Sequence, residues 1–161
     1  MNKVYLLLGG NINDRLANLN KAGQLLEKQV GKIIKFSGIY ETASWGKTNQ
    51  PDFLNQVIVI ESDLTPQQLM EQILSIENKM GRVRTEKNAS RIIDIDILFF
   101  NEEIIETDSI IIPHPQIQNR IFVLHPLNEL SPDLIHPVLK KPVHQLLIEC
   151  SDALTVNLYK T

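Results

Sequence analysis

Arg91-Ile92-Ile93-Asp94-Ile95-Asp96-Ile97-Leu98-Phe99-Phe100 is the stretch on which the fold turns. Its β-branched content and its alternation of aspartate with isoleucine mark a strand with two unlike faces. Upstream, Thr65 and Gln68 make a capping box, with Pro66 at the first helical position. Leu69, Ile73, Ile76 and Met80 then share one face and Gly81 supplies a stop, so a helix precedes the strand. Further back, residues 53–61 carry Val57-Ile58-Val59-Ile60 and read as a strong strand, while residues 32–42 read as an imperfect one. Between these two, residues 43–52 are polar, turn-rich and longer than a hairpin needs, which favours a binding loop. At the start, residues 3–8 form an apolar strand closed by a turn at Gly9-Gly10-Asn11. Leu16, Leu19, Gly23, Leu26 and Val30 follow at helical spacing, from an N-cap at Asn13 or Asp14 to a stop at Gly31. The order is βαββαβ, which predicts an α+β, ferredoxin-like antiparallel sheet with both helices on one face. Beyond it, residues 103–105 and 110–112 read as short strands and Pro113-His114-Pro115 as a fixed turn. A helix interrupted near Pro126 is expected over 120–130, and a short one over 144–149 in a loop-rich remainder.

A chain of 161 residues is long enough to bury one core and too short for two, so 1–161 is read as a single domain. Hydrophobic residues at 43% and charged residues at 22% exclude a disordered tail or a collagen-like array. The apolar runs fall far short of the roughly 20 residues that a membrane span needs, and Met1-Asn2-Lys3-Val4 lacks a secretory pattern. A soluble, cytoplasmic monomer without a membrane partner is the expectation. Cys150, the single cysteine, has no internal partner for a disulfide. A net charge of −3 argues against a nucleic-acid partner.

The chemistry gathers around the opening stretch. Arg82, Arg84, Lys87 and Arg91, against the single acid Glu86, form a basic segment that runs into Asp94 and Asp96. In a strand these aspartates project to one side about 6.6 Å apart, while Ile93, Ile95 and Ile97 face the other way. Adjacent carboxylates repel, and a hard divalent cation such as Mg²⁺ relieves them while leaving positions for phosphate oxygens. Leu98 and Phe100 are expected to continue the aspartate face and cover it in part. Guanidinium groups hold phosphate oxygens in bidentate fashion, so the arginines, with His114 and Arg120, suit a nucleoside triphosphate. His125, His136 and His144 show no metal-ligand spacing. No P-loop, no G-x-G-x-x-G and no protein-kinase signature is present. A metal-dependent nucleotide hydrolase would share the acidic pair. A ferredoxin-like binding module such as an RNA-recognition domain would need basic and aromatic residues where these acids stand.

The residues also resemble the 6-hydroxymethyl-7,8-dihydropterin pyrophosphokinase family of folate biosynthesis over nearly the whole chain. The resemblance rests on Leu8-Gly9-Gly10-Asn11, Tyr40-Glu41-Thr42, residues 50–55, Glu77 with Gly81-Arg82-Val83-Arg84, residues 91–98, Pro113-His114 and residues 119–124 with Pro126-Leu127. It implies transfer of pyrophosphate from ATP to the hydroxymethyl group of a reduced pterin, with two Mg²⁺ ions on Asp94 and Asp96. By the same resemblance Arg82, Arg91, His114 and Arg120 meet the phosphates, Arg84 lies on a catalytic loop, and Glu77 and Ile97 help contain the nucleotide. The pterin is expected between Phe53 and Phe122, its edge read by Asn55 and by groups from Thr42 to Trp45. The chain departs from the family at Asn88-Ala89-Ser90, where Trp-Gly-Pro is usual, at Phe53, often a tyrosine, and at Leu74, Ser109 and Ile111.

Overall fold

The computed structural model describes residues 1–43, 51–81 and 92–160. Its elements are β1 (Asn2–Gly10), α1 (Arg15–Gln29), β2 (Lys32–Phe36), β3 (Tyr40–Thr42), β4 (Phe53–Ser62), α2 (Pro66–Lys79) and β5 (Asp94–Phe100). After these come β6 (Ile105–Glu106), β7 (Ile111–Ile112), a 3-10 turn (Ile117–Asn119), α3 (Ile121–Leu130), α4 (Val143–Glu149) and β8 (Val156–Leu158). The local chemistry read from the sequence sets both early helices. Asp14 caps α1 by accepting from Ala17 N at 3.1 Å. Thr65 and Gln68 close their capping box on α2, and Gly81 ends that helix at φ +85°.

Mixed helix and antiparallel sheet is the result. The strands run in the order β5-β1-β4-β3-β8, with β2 also on β4, and each of these pairs is antiparallel. The segment read as one imperfect strand over 32–42 is two, β2 and β3, laid along successive parts of β4. One side of the sheet packs α1 through Leu19, Ala22 and Leu26, and α2 through Leu69, Ile73 and Ile76, against Leu6, Leu8, Ile58 and Ile60. Each such fully buried side chain contributes roughly 1.5–3 kcal/mol of transfer free energy.

The sequence reading is corrected at three further places. Gly9 and Gly10 do not form a turn; they are the last residues of β1, paired with Asn55 and Leu54. Phe100 does not continue the aspartate face. The β1–β5 register shifts between Tyr5 and Leu6, so Phe99 pairs with Tyr5 and Phe100 with Val4. Leu98 and Phe99 therefore share one core cluster, and Phe100 turns into the other. Helix α3 runs unbroken through the buried Pro126, which withholds only the N–H that the Phe122 carbonyl would receive. The two later helices, α3 and α4, stand where they were expected and together supply a second layer on the other face of the sheet. Val123, Leu124, Leu127, Val143 and Leu146 of α3 and α4 pack on Tyr5, Leu7, Val57, Val59 and Phe99.

Candidate active site

Strand register brings distant residues into one row. Gly9 pairs with Asp94 on one side and Asn55 on the other, and Asn55 pairs in turn with Tyr40. To one side of this row Leu7 lies between Asp96 and Val57, and to the other Thr42 lies opposite Phe53. Alternation turns Leu7, Gly9, Phe53, Asn55, Asp94 and Asp96 to the face that carries α3 and α4. That layer ends before the strands do, and its edge is the first turn of α3 with Arg120 and Phe122. Leu7, Gly9, Thr42, Ala43, Phe53, Asn55, Asp94, Asp96, Arg120 and Phe122 enclose a cleft of about 540 Å³, counting the space open to solvent at its mouth.

The floor of the cleft explains a glycine whose purpose the sequence did not disclose. A Cβ on Gly9 would lie 2.6 Å from Asn55 Oδ1, so only glycine leaves the buried amide its place. Asn55 Nδ2 donates to Thr42 Oγ1 at 3.2 Å, which joins two of the expected pterin-reading residues. On the far wall the Arg120 guanidinium lies 5.7 Å from the centre of the Phe122 ring, a cation–π approach. Asp94 and Asp96 are each half-buried, with hard oxygen donors on one face and Arg120 beside them. Among the described residues no group of three or more His, Cys, Asp or Glu ligands occurs. A carboxylate pair suits Mg²⁺, which binds through one or two carboxylates and completes its shell with water and phosphate oxygen.

His114 stands behind this wall. Its Nδ1 accepts from Gln116 N at 3.1 Å, which leaves the proton of the neutral ring on Nε2. Burial and the nearby Arg120 push the imidazole down to about 4, with Asp94 opposing them. At neutral pH His114 is thus an uncharged N–H donor. Glu77, 2% exposed on α2, accepts the Ile95 N–H at 2.9 Å. It fixes the peptide between the two aspartates on β5, the terminal strand of the sheet. Ile97 is buried in the α1/α2 core. His114, Glu77 and Ile97 do not line the cleft, whereas Thr42, Phe53, Asn55, Asp94, Asp96, Arg120 and Phe122 do. Trp45, Arg82, Arg84 and Arg91 lie outside the described residues, as do 44–50 and the departure at Asn88-Ala89-Ser90. Ala43 falls within the expected span from Thr42 to Trp45, whereas the sequence reading missed Leu7 and Gly9 as lining residues, which only the register of β1 against β4 would have exposed. No helix among the described residues is long and apolar enough to cross a membrane.

Comparison with known proteins gives this geometry a family. The description "7,8-dihydro-6-hydroxymethylpterin-pyrophosphokinase (HPPK)" matches residues 5–132. The 2-amino-4-hydroxy-6-hydroxymethyldihydropteridine pyrophosphokinase of Aquifex aeolicus is 41% identical over 145 residues, covering 90% of each chain. The folic acid synthesis protein FOL1 of Dictyostelium discoideum is 43% identical over 138 residues, 86% of this chain and 21% of that one. A crystal structure of Plasmodium falciparum HPPK-DHPS superposes with a TM-score of 0.76 at 20% identity, over 92% of this chain and 44% of that chain, a likeness of fold alone. The present chain thus spans less than half of those two longer proteins and nearly all of the Aquifex enzyme. Neither a hydrolase nor a non-catalytic binding module is favoured by these matches. The chain belongs to the 7,8-dihydro-6-hydroxymethylpterin pyrophosphokinase family, enzymes that use ATP for pyrophosphoryl transfer to a hydroxymethylpterin in folate biosynthesis.

Proposed function

We propose that the cleft is where the pterin and the triphosphate of ATP meet. The observation that carries this reading is the convergence of Thr42, Phe53, Asn55, Asp94, Asp96, Arg120 and Phe122 from three strands and the start of a helix. The pterin lies between the rings of Phe53 and Phe122, and the buried Asn55–Thr42 pair reads its polar edge. Asp94 and Asp96 hold Mg²⁺, two ions in all. Held there, Mg²⁺ would supply charge neutralisation at the phosphates. Arg120 offers a permanent cation to the phosphates, and the neutral His114 an N–H that carries no counter-charge of its own. Arg82, Arg84 and Arg91 complete the phosphate site, and Glu77, through its hold on the Ile95 N–H, and Ile97 help contain the nucleotide by supporting β5 from the α2 side. The strand order β5-β1-β4-β2 supports the ferredoxin-like layout, carried on one domain that works as a monomer.

Phosphorus NMR of the protein with ATP and Mg²⁺, with and without 6-hydroxymethyl-7,8-dihydropterin, tests the reading. AMP and a diphosphorylated pterin are expected only when the pterin is present. ATP breakdown that ignores the pterin would put a hydrolase in its place.

A further inference from the structure

Arg120 is the N-cap residue of α3, and a guanidinium cannot accept a hydrogen bond from the open amides of a first turn. That helix nevertheless has an acceptor, brought from far along the chain. Asp152, in the segment after α4, accepts the Ile121 N–H through Oδ2 at 3.1 Å. Its Oδ1 accepts Leu154 N at 3.1 Å, which holds the carboxylate in line. The peptide held by Asp152 joins Arg120 to Ile121, so it sits directly after one side chain of the cleft's far wall and one residue before the other, Phe122.

The same segment holds the near wall. As β8 it pairs with β3, Val156 opposite Thr42 and Leu158 opposite Tyr40. Tyr159 N then donates to Ile39 O at 2.7 Å, and the Tyr159 ring takes the Arg15 guanidinium at 5.6 Å from its centre. Arg15 in turn forms an ion pair with Glu41 of β3 and donates to Asp52 O beside β4. Within seven residues of Asp152 the segment has thus been fixed to the strand bearing Thr42. It follows the span matched by the family description, which ends at residue 132.

We infer that Asp152 is a positioning residue for substrate binding: by supplying the cap that Arg120 cannot, it holds Arg120 and Phe122 at the distance from Thr42 that a pterin requires. The inference rests on the reading of Phe122 and Arg120 as the substrate wall. A carboxylate at a helix N-terminus is favourable by hydrogen bond and by dipole together. Without it the first turn of α3 frays, and the bound state must reorder it.

The test compares Asp152→Ala, Asp152→Asn and Phe122→Ala with the parent chain. It reads the amide exchange of Ile121 in the free protein and the calorimetric affinity for 6-hydroxymethyl-7,8-dihydropterin. For Asp152→Ala the Ile121 amide exchanges faster and pterin affinity falls roughly two- to thirtyfold, the span of a lost N-terminal cap. Asp152→Asn, which keeps one acceptor oxygen, lies between that variant and the parent. If Asp152→Ala lowers only the melting temperature and leaves pterin affinity at the parent value, the role is structural and the inference fails. Failure of both Asp152 variants to fold overturns it as well. Unchanged pterin affinity in Phe122→Ala instead sinks the underlying site reading, and the inference with it.

Discussion

On one face of the sheet the cover of α1 and α2 reaches from Val4 to Leu8, from Leu54 to Ile60 and from Ile95 to Ile97, all buried. On the other, α3 and α4 cover Tyr5, Leu7, Val57, Val59 and Leu98 and stop short of Gly9, Asn55 and Asp94. The same strands supply both faces, because alternation sends neighbouring residues to opposite sides. One face is sealed and the other is left open at one end, and it is there that the polar residues of alternate positions stand. The comparison teaches that this cleft is made by the length of its second layer. The first layer fixes the sheet; the second, by ending early, leaves room for a ligand and presents its own first turn as a wall.

The largest effect is expected on the open side. Asp96→Ala should lower turnover on the order of a thousandfold, the scale of losing a preorganised electrostatic partner, with the thermal midpoint held or raised. A steady-state assay beside a melting curve checks it, and unfolding of the variant would break the contrast between the faces. On the sealed side Ile73→Ala should cost about 2–5 kcal/mol of stability by urea titration and leave kcat/KM alone wherever the protein stays folded. A fall in kcat/KM would show that the two faces are not separable. Phe122→Ala removes one stacking ring, about 1–3 kcal/mol by analogy with base–aromatic stacking, and should weaken pterin binding more than ATP binding. Equal weakening of both would deny Phe122 a place against the pterin.

The smallest effect concerns the second layer alone. His136 is 4% exposed, accepts from Val138 N and Leu139 N at Nδ1, and meets the Phe99 ring edge-on at 5.7 Å. Burial pushes its pKa below the ordinary 6.5, so the unfolded chain takes up its proton first as pH falls. Stability should therefore decline on acidification from 6.5 downward, and in His136→Asn that decline should shrink. It should not vanish, because the lowered His114 acts with the same sign. An undiminished pH dependence in the variant would remove His136 from this account.

Much of the sealed face was legible in the sequence because helical spacing, capping boxes and a β-branched run are local signals. Thr65, Pro66, Gln68 and Gly81 each did in the molecule what their chemistry implies. The open face was harder for physical reasons. Gly9 in a strand and Gly9 in a turn look alike until β4 is set beside it, and the bulge that turns Phe100 around is a property of two strands together. Both helices of the second layer were legible, but in a stretch broken by Pro126, Pro132, Pro137 and Pro142 nothing local announced that they would pack together on the second face. Nothing near Arg120 announces a cap that arrives from Asp152. Asp94 and Asp96 were legible from strand alternation beside a basic segment, whereas Phe53 and Phe122 were singled out by family resemblance alone, since a lone phenylalanine has a commoner explanation in core packing.

The most direct test of the central claim is a crystal structure with 6-hydroxymethyl-7,8-dihydropterin, Mg²⁺ and a non-hydrolysable ATP analogue. The expected complex has the pterin between Phe53 and Phe122, its edge on Asn55, and metal on Asp94 and Asp96 at the open end of the α3/α4 face. Pterin bound elsewhere, or metal held without either aspartate, would contradict it.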